Sequence, residues 1–292
     1  MRYKRVSRSH HCPVCDHDTW CTYTDDGREA KCMRVPSDRP LKDKHGEFGG
    51  YMHVLDASIP RARYQPPPPL PPPNFAPLAK KWFQECEPEH LLKHAQRLGV
   101  AFPSLHRLRT GWAPQAELQA INTPCNARGC WAYPMRLEMV DGNPGQVVGV
   151  RLRPDHGKKY SVTGSREGLF YAHDHDLTRG AVIVEGASDC AALLDLGFQA
   201  IGRPHCRGGV VPCIRMCRDR ETVVIGDFDK PDKLGRCAGQ EGAKALVEAL
   251  KPGCRSVRLC WPPEGFKDVR EWIVKAKADR NTVLRHIFDT AE

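Results

Sequence analysis

Apolar and polar positions change their spacing twice along this chain. From about residue 78 to 110, in LAKKWFQECEPEHLLKHAQRLGV, apolar side chains recur at helical spacing, with a break near Pro88 and a stop at Gly99. Between 129 and 172 the β-type runs GCWAYPMRLEMV, QVVGVRLRP, KKYSVTG and GLFYA are separated by the turn segments DGNPG, DHG and GSREG. That pattern predicts an antiparallel meander. From 181 onward strand and helix patterns alternate: AVIVEG, SDCAALLDL, QAIGR, VVPCIRMCRD, TVVIGDFD, QEGAKALVEAL, SVRLCWP and DVREWIVKA. The Ala, Val and Ile runs leading to Glu185 and Asp227 read as strands buried on both faces, which makes this segment a compact parallel α/β unit.

Ahead of these patterns lies PRARYQPPPPLPPPNFAP, residues 60 to 77, with proline runs at 66–69 and 71–73. It can form neither helix nor sheet ladder and reads as an extended spacer rising about 3.1 Å per residue, or as a ligand for SH3 or WW domains. The expected organisation is a metal-binding module over 1–58, the spacer over 59–77, a basic helix-plus-meander region over 78–180 and a catalytic α/β domain over 181–292.

At 292 residues the chain has room for about two domains and a small extra module. No stretch approaches the roughly 18 apolar residues that span a bilayer. The basic start MRYKRVSRSHHC has no apolar run behind it, so a cytoplasmic protein without membrane contact is expected. The net charge of +9 suits a polyanionic partner, but the excess forms no arm or block. In that compartment the 14 cysteines point to metal binding or simple burial rather than a disulfide framework.

The chemistry begins in HHCPVCDHDTWCTYTDDGREAKC. Cys12 and Cys15 form a CxxC knuckle, and Cys21 and Cys32 complete four soft ligands for a structural Zn²⁺, with TYTDDGREAKC as a hairpin turning at Asp26-Gly27. His10, His11, His17, His45 and His53 are alternative ligands in place of Cys21. A redox CxxC would follow a thioredoxin-like βαβ unit, which is missing. Cys206, Cys213 and Cys217 beside His205, and Cys125 with Cys130, read as small buried side chains.

Glu185 and Asp189 follow the first α/β strand, and Asp227 and Asp229 follow the third. Open α/β sheets place ligands at strand C-terminal ends, and carboxylates converging there repel unless divalent cations hold them. Mg²⁺ or Mn²⁺ serving phosphate chemistry is the economical reading. Asp189 is equally well explained as a first-turn acid favouring the helix dipole.

Basic residues accompany the acids. Arg151 and Arg153 alternate with Val150 and Leu152 and so share one strand face; Lys158, Lys159 and Tyr160 follow, and Arg203, His205, Arg207 and Lys230 lie in later loops. They are candidates for holding nucleotide or nucleic acid, with Tyr160, Phe170 and Tyr171 able either to stack on bases or to fill the core.

VIVEGASDCAALLDLG, VVIGDFD and PPEGFKDVREW together resemble the TOPRIM domain shared by DnaG-type primases, topoisomerases and some nucleases. With the cysteine module ahead and GKKYSVTGSREGLFYA between, the chain is most similar to a DnaG-type DNA primase of bacterial, phage or plasmid type. The resemblance implies an α/β fold: a TOPRIM parallel-sheet domain preceded by an antiparallel β and helical subdomain and a small zinc-ribbon-like module. It places the metal centre on Glu185, Asp227, Asp229 and Asp268, with Glu185 as base or ligand. It implies RNA primers made from NTPs on a single-stranded DNA template. Primases often carry a second acid two positions after the one matching Asp268; here that position is Arg270, followed by Glu271. No GxxxxGK[ST] occurs, so a replicative helicase is expected to be a separate protein. A metal-dependent nuclease using the same carboxylates, and a non-catalytic single-stranded-DNA-binding replication factor, are the competing functions.

Overall fold

The computed structural model describes residues 3–43, 46, 48–55, 75–232 and 235–291. His45 and the spacer up to residue 74 lie outside them. The chain forms two units, Met1–Pro71 and Pro72–Glu292.

The first unit is a five-stranded antiparallel sheet of β1 (Tyr3–Arg5), β2 (Thr22–Thr24), β3 (Glu29–Cys32), β4 (Pro40–Lys42) and β5 (Phe48–Val54), in the order β1-β2-β3-β5-β4. The expected hairpin joins β2 to β3: Gly27 takes φ +69° and donates its N–H to the Thr24 carbonyl at 2.9 Å. Its small core is Val6 with Cys12, Cys15, Cys21 and Cys32.

The second unit opens with α1 (Ala76–Gln84) and α2 (Pro88–Leu98), each with a proline in its first turn, where the missing N–H costs nothing. Gly99 ends α2 in the left-handed conformation, as its position in the pattern predicts. α3 (Phe102–Arg107) falls in the segment read as helical to about residue 110, beyond the stop at Gly99, whereas the sequence pattern did not mark β6 (Gly111–Pro114) or α4 (Gln115–Ala120). The meander follows as β7 (Gly129–Arg136), β8 (Val147–Arg153) and β9 (Tyr160–Ser161), and β6 adds to its edge to give the order β6-β7-β8-β9. One face of this sheet packs on α1 around the buried Trp82. The other face contributes Trp131, Tyr133 and Met135 to the main core.

The GLFYA run departs from the meander expected for it. Its strand, β10 (Phe170–Tyr171), pairs antiparallel with β12 (Ala200–Arg203) and so edges the α/β sheet. β11 (Ala181–Glu185), β13 (Glu221–Ile225) and β14 (Ser256–Cys260) run parallel with β12, giving the order β10-β12-β11-β13-β14. The helices between them are α5 (Ala187–Asp195), α6 (Val210–Met216) and α7 (Ala238–Leu250), followed by α8 (Val269–Ala276) and α9 (Arg280–Thr290). Val182 and Val184 face α5, α8 and α9, while Ala181 and Ile183 face α6 and α7. β11 is thus buried on both faces, which explains its uninterrupted apolar run.

From β11 the chain turns to β12 on one side, and from β12 it crosses to β13 on the other. The strand order therefore reverses at the β11–β13 boundary, which opens a crevice beyond the strand ends. Backbone packing at that rim is tight: a Cβ on Gly202 would lie 2.6 Å from the Gly186 carbonyl oxygen. Gly202→Ala should therefore destabilise the protein by about 1–3 kcal/mol through overpacking, read from its urea midpoint. An unchanged midpoint would show that the rim yields freely.

Candidate active site and metal centres

In the first unit the four cysteine sulfurs lie within 4.8 Å of one another and are all buried. Backbone N–H groups point at them: Met33 donates to Cys21 Sγ at 3.4 Å, and Arg34 and Val35 donate to Cys32 Sγ at 3.4 and 3.3 Å. Arg34 adds its guanidinium to Cys21 Sγ at 3.5 Å and ties the loop through the Thr19 carbonyl at 2.8 Å. Donors converging on clustered sulfurs suit thiolates, so the residues fit a tetrahedral Zn²⁺. The described histidines are occupied elsewhere: His53 with the Val35 carbonyl, His11 with Asp16, His17 with Asp18 and His10 with Ser9.

In the second unit Glu185 ends β11, Asp227 and Asp229 follow β13, and Asp268 caps α8, its carboxylate accepting the Glu271 N–H at 2.7 Å. Burial pushes the Asp227 carboxyl up to about 8, with Asp189, Glu185 and Asp268 adding to the effect and Lys267 opposing it. Burial likewise raises Glu185, reinforced by Asp229. Asp189 is pushed up to about 7 by burial and by Asp268, although Ser188 Oγ and the Arg270 N–H both donate to it at 3.2 Å. Asp189 therefore belongs to the acidic group, which its sequence position alone left open.

These carboxylates do not approach one another as tightly as the cysteines do. Among the described residues only the four cysteines form a metal-ligating group within that 4.8 Å spacing. Asp229 is held by the first turn of α7, accepting the Gly239 N–H at 3.0 Å, and by Lys267 Nζ at 3.3 Å. A Cβ on Gly239 would lie 2.7 Å from Asp229 Oδ2, so that approach requires glycine. Lys267, unmarked in the sequence, is the cation that the carboxylates of Asp229 and Asp227 draw in. Acids raised by burial and by one another, with Lys267 and Lys159 only partly offsetting them, are the donor set a divalent cation fits. Glu271 turns away to accept the Lys267 N–H at 2.7 Å and to pair with Lys275, so it does not replace the acid absent at Arg270.

A cleft beside Glu185 is lined by Arg151, Arg153, Lys159, Gly186, Ser188 and His205. Arg151 donates to Ser161 Oγ at 3.3 Å, while its buried Nε has no hydrogen-bond partner among the described residues. Burial holds Arg151 below the usual arginine range, offset by Glu185. Lys159 is lowered by desolvation and by Arg153, with Asp189 and Glu185 acting the other way. Gly186, at φ +94°, turns the chain from β11 into α5 between these cations and the acids.

The other basic candidates are placed differently. Arg203 is buried, donating to the carbonyls of Gly208 at 2.8 Å, Gly242 at 3.4 Å and Cys206, so it braces the loop while its charge acts on Glu185. Tyr160 turns to the α1 side of its sheet, where its hydroxyl meets Cys130 Sγ at 3.2 Å. Phe170 and Tyr171 are buried in the two cores. Lys158 is exposed, Lys230 is exposed beside Phe228 and Lys267, and Arg207 pairs with Glu241 at 3.5 Å.

In metal-free buffer Asp227 keeps a proton that the unfolded chain loses above about pH 4. Its raised pKa therefore contributes stability that is present below about pH 4 and lost as pH rises towards 8. Urea denaturation of Asp227→Asn between about pH 5 and pH 9 should show this loss reduced by at least about 1 kcal/mol; an unchanged slope would contradict it. Stripping zinc with a chelator, or Cys12→Ser, should unfold the first unit and expose it to protease. Retained protection would contradict the zinc assignment.

No family model and no curated protein matches the sequence. Solved structures do match in fold. The structure of the DnaG catalytic core aligns with a TM-score of 0.55 at 16% identity, covering 74% of this chain and 78% of that one. The DnaG primase catalytic domain bound to single-stranded DNA aligns with a TM-score of 0.55 at 15% identity, covering 74% and 77%. The Aquifex aeolicus primase, with its zinc-binding and RNA polymerase domains, aligns with a TM-score of 0.54 at 17% identity, covering 73% of this chain and 59% of that one. No helix among the described residues is long and apolar enough to cross a membrane. With its crevice at the strand reversal and a buried four-cysteine cluster ahead of it, the chain has the fold of the DnaG-type primase.

Proposed function

We propose that this protein is a DNA primase, a nucleotidyltransferase that makes short RNA primers on single-stranded DNA from NTPs. The observation that carries the reading is the juxtaposition of the Glu185, Asp189, Asp227 and Asp229 carboxylates with a cleft whose Arg151 keeps a buried donor unpartnered among the described residues. Acids and cations adjoining in one crevice suit a reaction among phosphates, where negative charge must be both neutralised and oriented.

In this reading Glu185, Asp227 and Asp229, with Asp189 and Asp268 beside them, hold Mg²⁺ or Mn²⁺. Bound there, the cations supply charge neutralisation at the reacting phosphate and lower the pKa of the attacking hydroxyl. Arg151, Arg153 and Lys159 grip the phosphates of nucleotide or template from the cleft side. Lys267 stands against Asp229 and can meet the charge developing on the leaving pyrophosphate. The first unit, folded around Zn²⁺, contacts the template. A replicative helicase is a separate partner.

The test is incubation with single-stranded DNA, four NTPs and Mg²⁺ or Mn²⁺, with products resolved on a denaturing gel. A ladder of short RNAs is expected, falling at least about a hundredfold in Glu185→Gln and Asp227→Asn and about tenfold in Arg151→Ala. Shortening of the DNA without NTPs would replace this reading with a metal-dependent nuclease. Strand binding without any product in wild type would favour a non-catalytic replication factor.

A further inference from the structure

A second basic site lies outside the crevice. α1 and the end of β7 enclose a cavity of about 320 Å³, at the small end of ligand-pocket sizes. Its floor is apolar, formed by Ala76, Ala79, Pro134 and Val147, and its polar lining includes Lys80, Arg109, Arg136 and His173.

Among the described residues Lys80, Arg109 and Arg136 lack ion-pair partners, unlike their neighbours. On the same helix Lys81 pairs with Glu117 at 2.9 Å, and near His173 Arg107 pairs with Asp174 at 3.0 Å. Among the described residues, no ion pair joins Lys80, Arg109 or Arg136 to a carboxylate. Arg136 is lowered by burial and by Arg109, and the group opposing them is the Tyr171 phenol, already donating to the Leu137 carbonyl at 2.7 Å. His173 is lowered by burial, then by Arg109 and Arg136, with Asp174 opposing. Arg109 is aimed inward over the Phe83 ring, its guanidinium 4.9 Å from the centroid. Its backbone sits at φ +58°, a conformation that costs a non-glycine residue energy.

Like charges gathered in a concave, partly dry site repel one another until an anion enters. Arginine forks suit a phosphate, and the apolar floor suits the non-ionic remainder of a small molecule. We propose that this cavity binds a phosphate group, gripped by Arg109 and Arg136 with Lys80 at the rim, at a site separate from the acidic crevice. The phosphate can belong to a free compound of nucleotide size or to a nucleic-acid strand. The inference stands independently of the primase reading.

The test is titration of the full chain with orthophosphate, with AMP and with an oligothymidylate, without added divalent cation. Wild type, Arg109→Ser/Arg136→Met, the exposed-site variant Lys80→Gln and the cleft variant Arg151→Ala/Arg153→Ala are compared, with thermal melts to verify folding. Affinity for at least one probe should fall about tenfold or more in Arg109→Ser/Arg136→Met, fall less in Lys80→Gln, and persist in the cleft variant. A fall for orthophosphate and AMP identifies a free ligand, and a fall for the oligonucleotide alone identifies a strand. Equal affinity in wild type and in both pocket variants, dependence on the cleft arginines alone, or no binding of any probe would overturn the proposal. If Arg109→Ser/Arg136→Met fails to fold, Lys80→Gln decides: a measurable loss of affinity that the cleft variant does not share supports the proposal, and affinity equal to wild type overturns it.

Discussion

Repulsion among buried carboxylates is the constraint around which the second unit is arranged. Glu185, Asp189 and Asp227 each sit where burial and a neighbouring acid raise their pKa. The protein itself offers partial relief: Lys267 to Asp229 and Asp227, Lys159 and the Arg270 backbone to Asp189, and the first turn of α7 to Asp229. Holding acids together costs stability, and a fold keeps such a cost where it serves a ligand. The parallel sheet supplies the rigidity. β11 and β13 are fixed on both faces, so the residues beyond their ends cannot move apart to relax the charge.

Much of this arrangement could be read from residue order. The Ala, Val and Ile runs located β11 and β13, and their polar ends put Glu185 and Asp227 at the crevice. The four cysteines also assembled as their spacing implied, because a knuckle and a hairpin are local structures. Asp189 was ambiguous, since a first-turn acid is explained by the helix dipole alone. What resolves it is non-local: α8 brings the Arg270 N–H to its carboxylate. Arg203, a candidate from its sequence position for holding nucleotide or nucleic acid, is enclosed by carbonyls from 206, 208 and 242. Its signal was Gly242, where a Cβ would lie 2.2 Å from the Cys206 oxygen. GLFYA was misplaced for a related reason. A two-residue strand carries too little pattern to show which sheet it joins.

The two charged sites of the second unit follow opposite versions of one rule. At Asp227 three acids act against one lysine; between α1 and β7, cations gather with no ion-paired acid among the described residues. Each asymmetry names the ligand it lacks, a divalent cation in one case and a phosphate in the other. Both are built on elements with firm backing. α1 is anchored by Trp82, whose indole N–H donates to Glu117 at 2.8 Å, and β7 is covered on both faces.

The most direct test of the central claim is anomalous diffraction from crystals soaked in Mn²⁺. The account predicts manganese bound by carboxylate oxygens of Glu185 and Asp227, with Asp229 or Asp189 beside them, and loss of that signal in Asp227→Asn. Saturating Mn²⁺ that leaves the crevice without an anomalous peak, or binds only elsewhere, would contradict it.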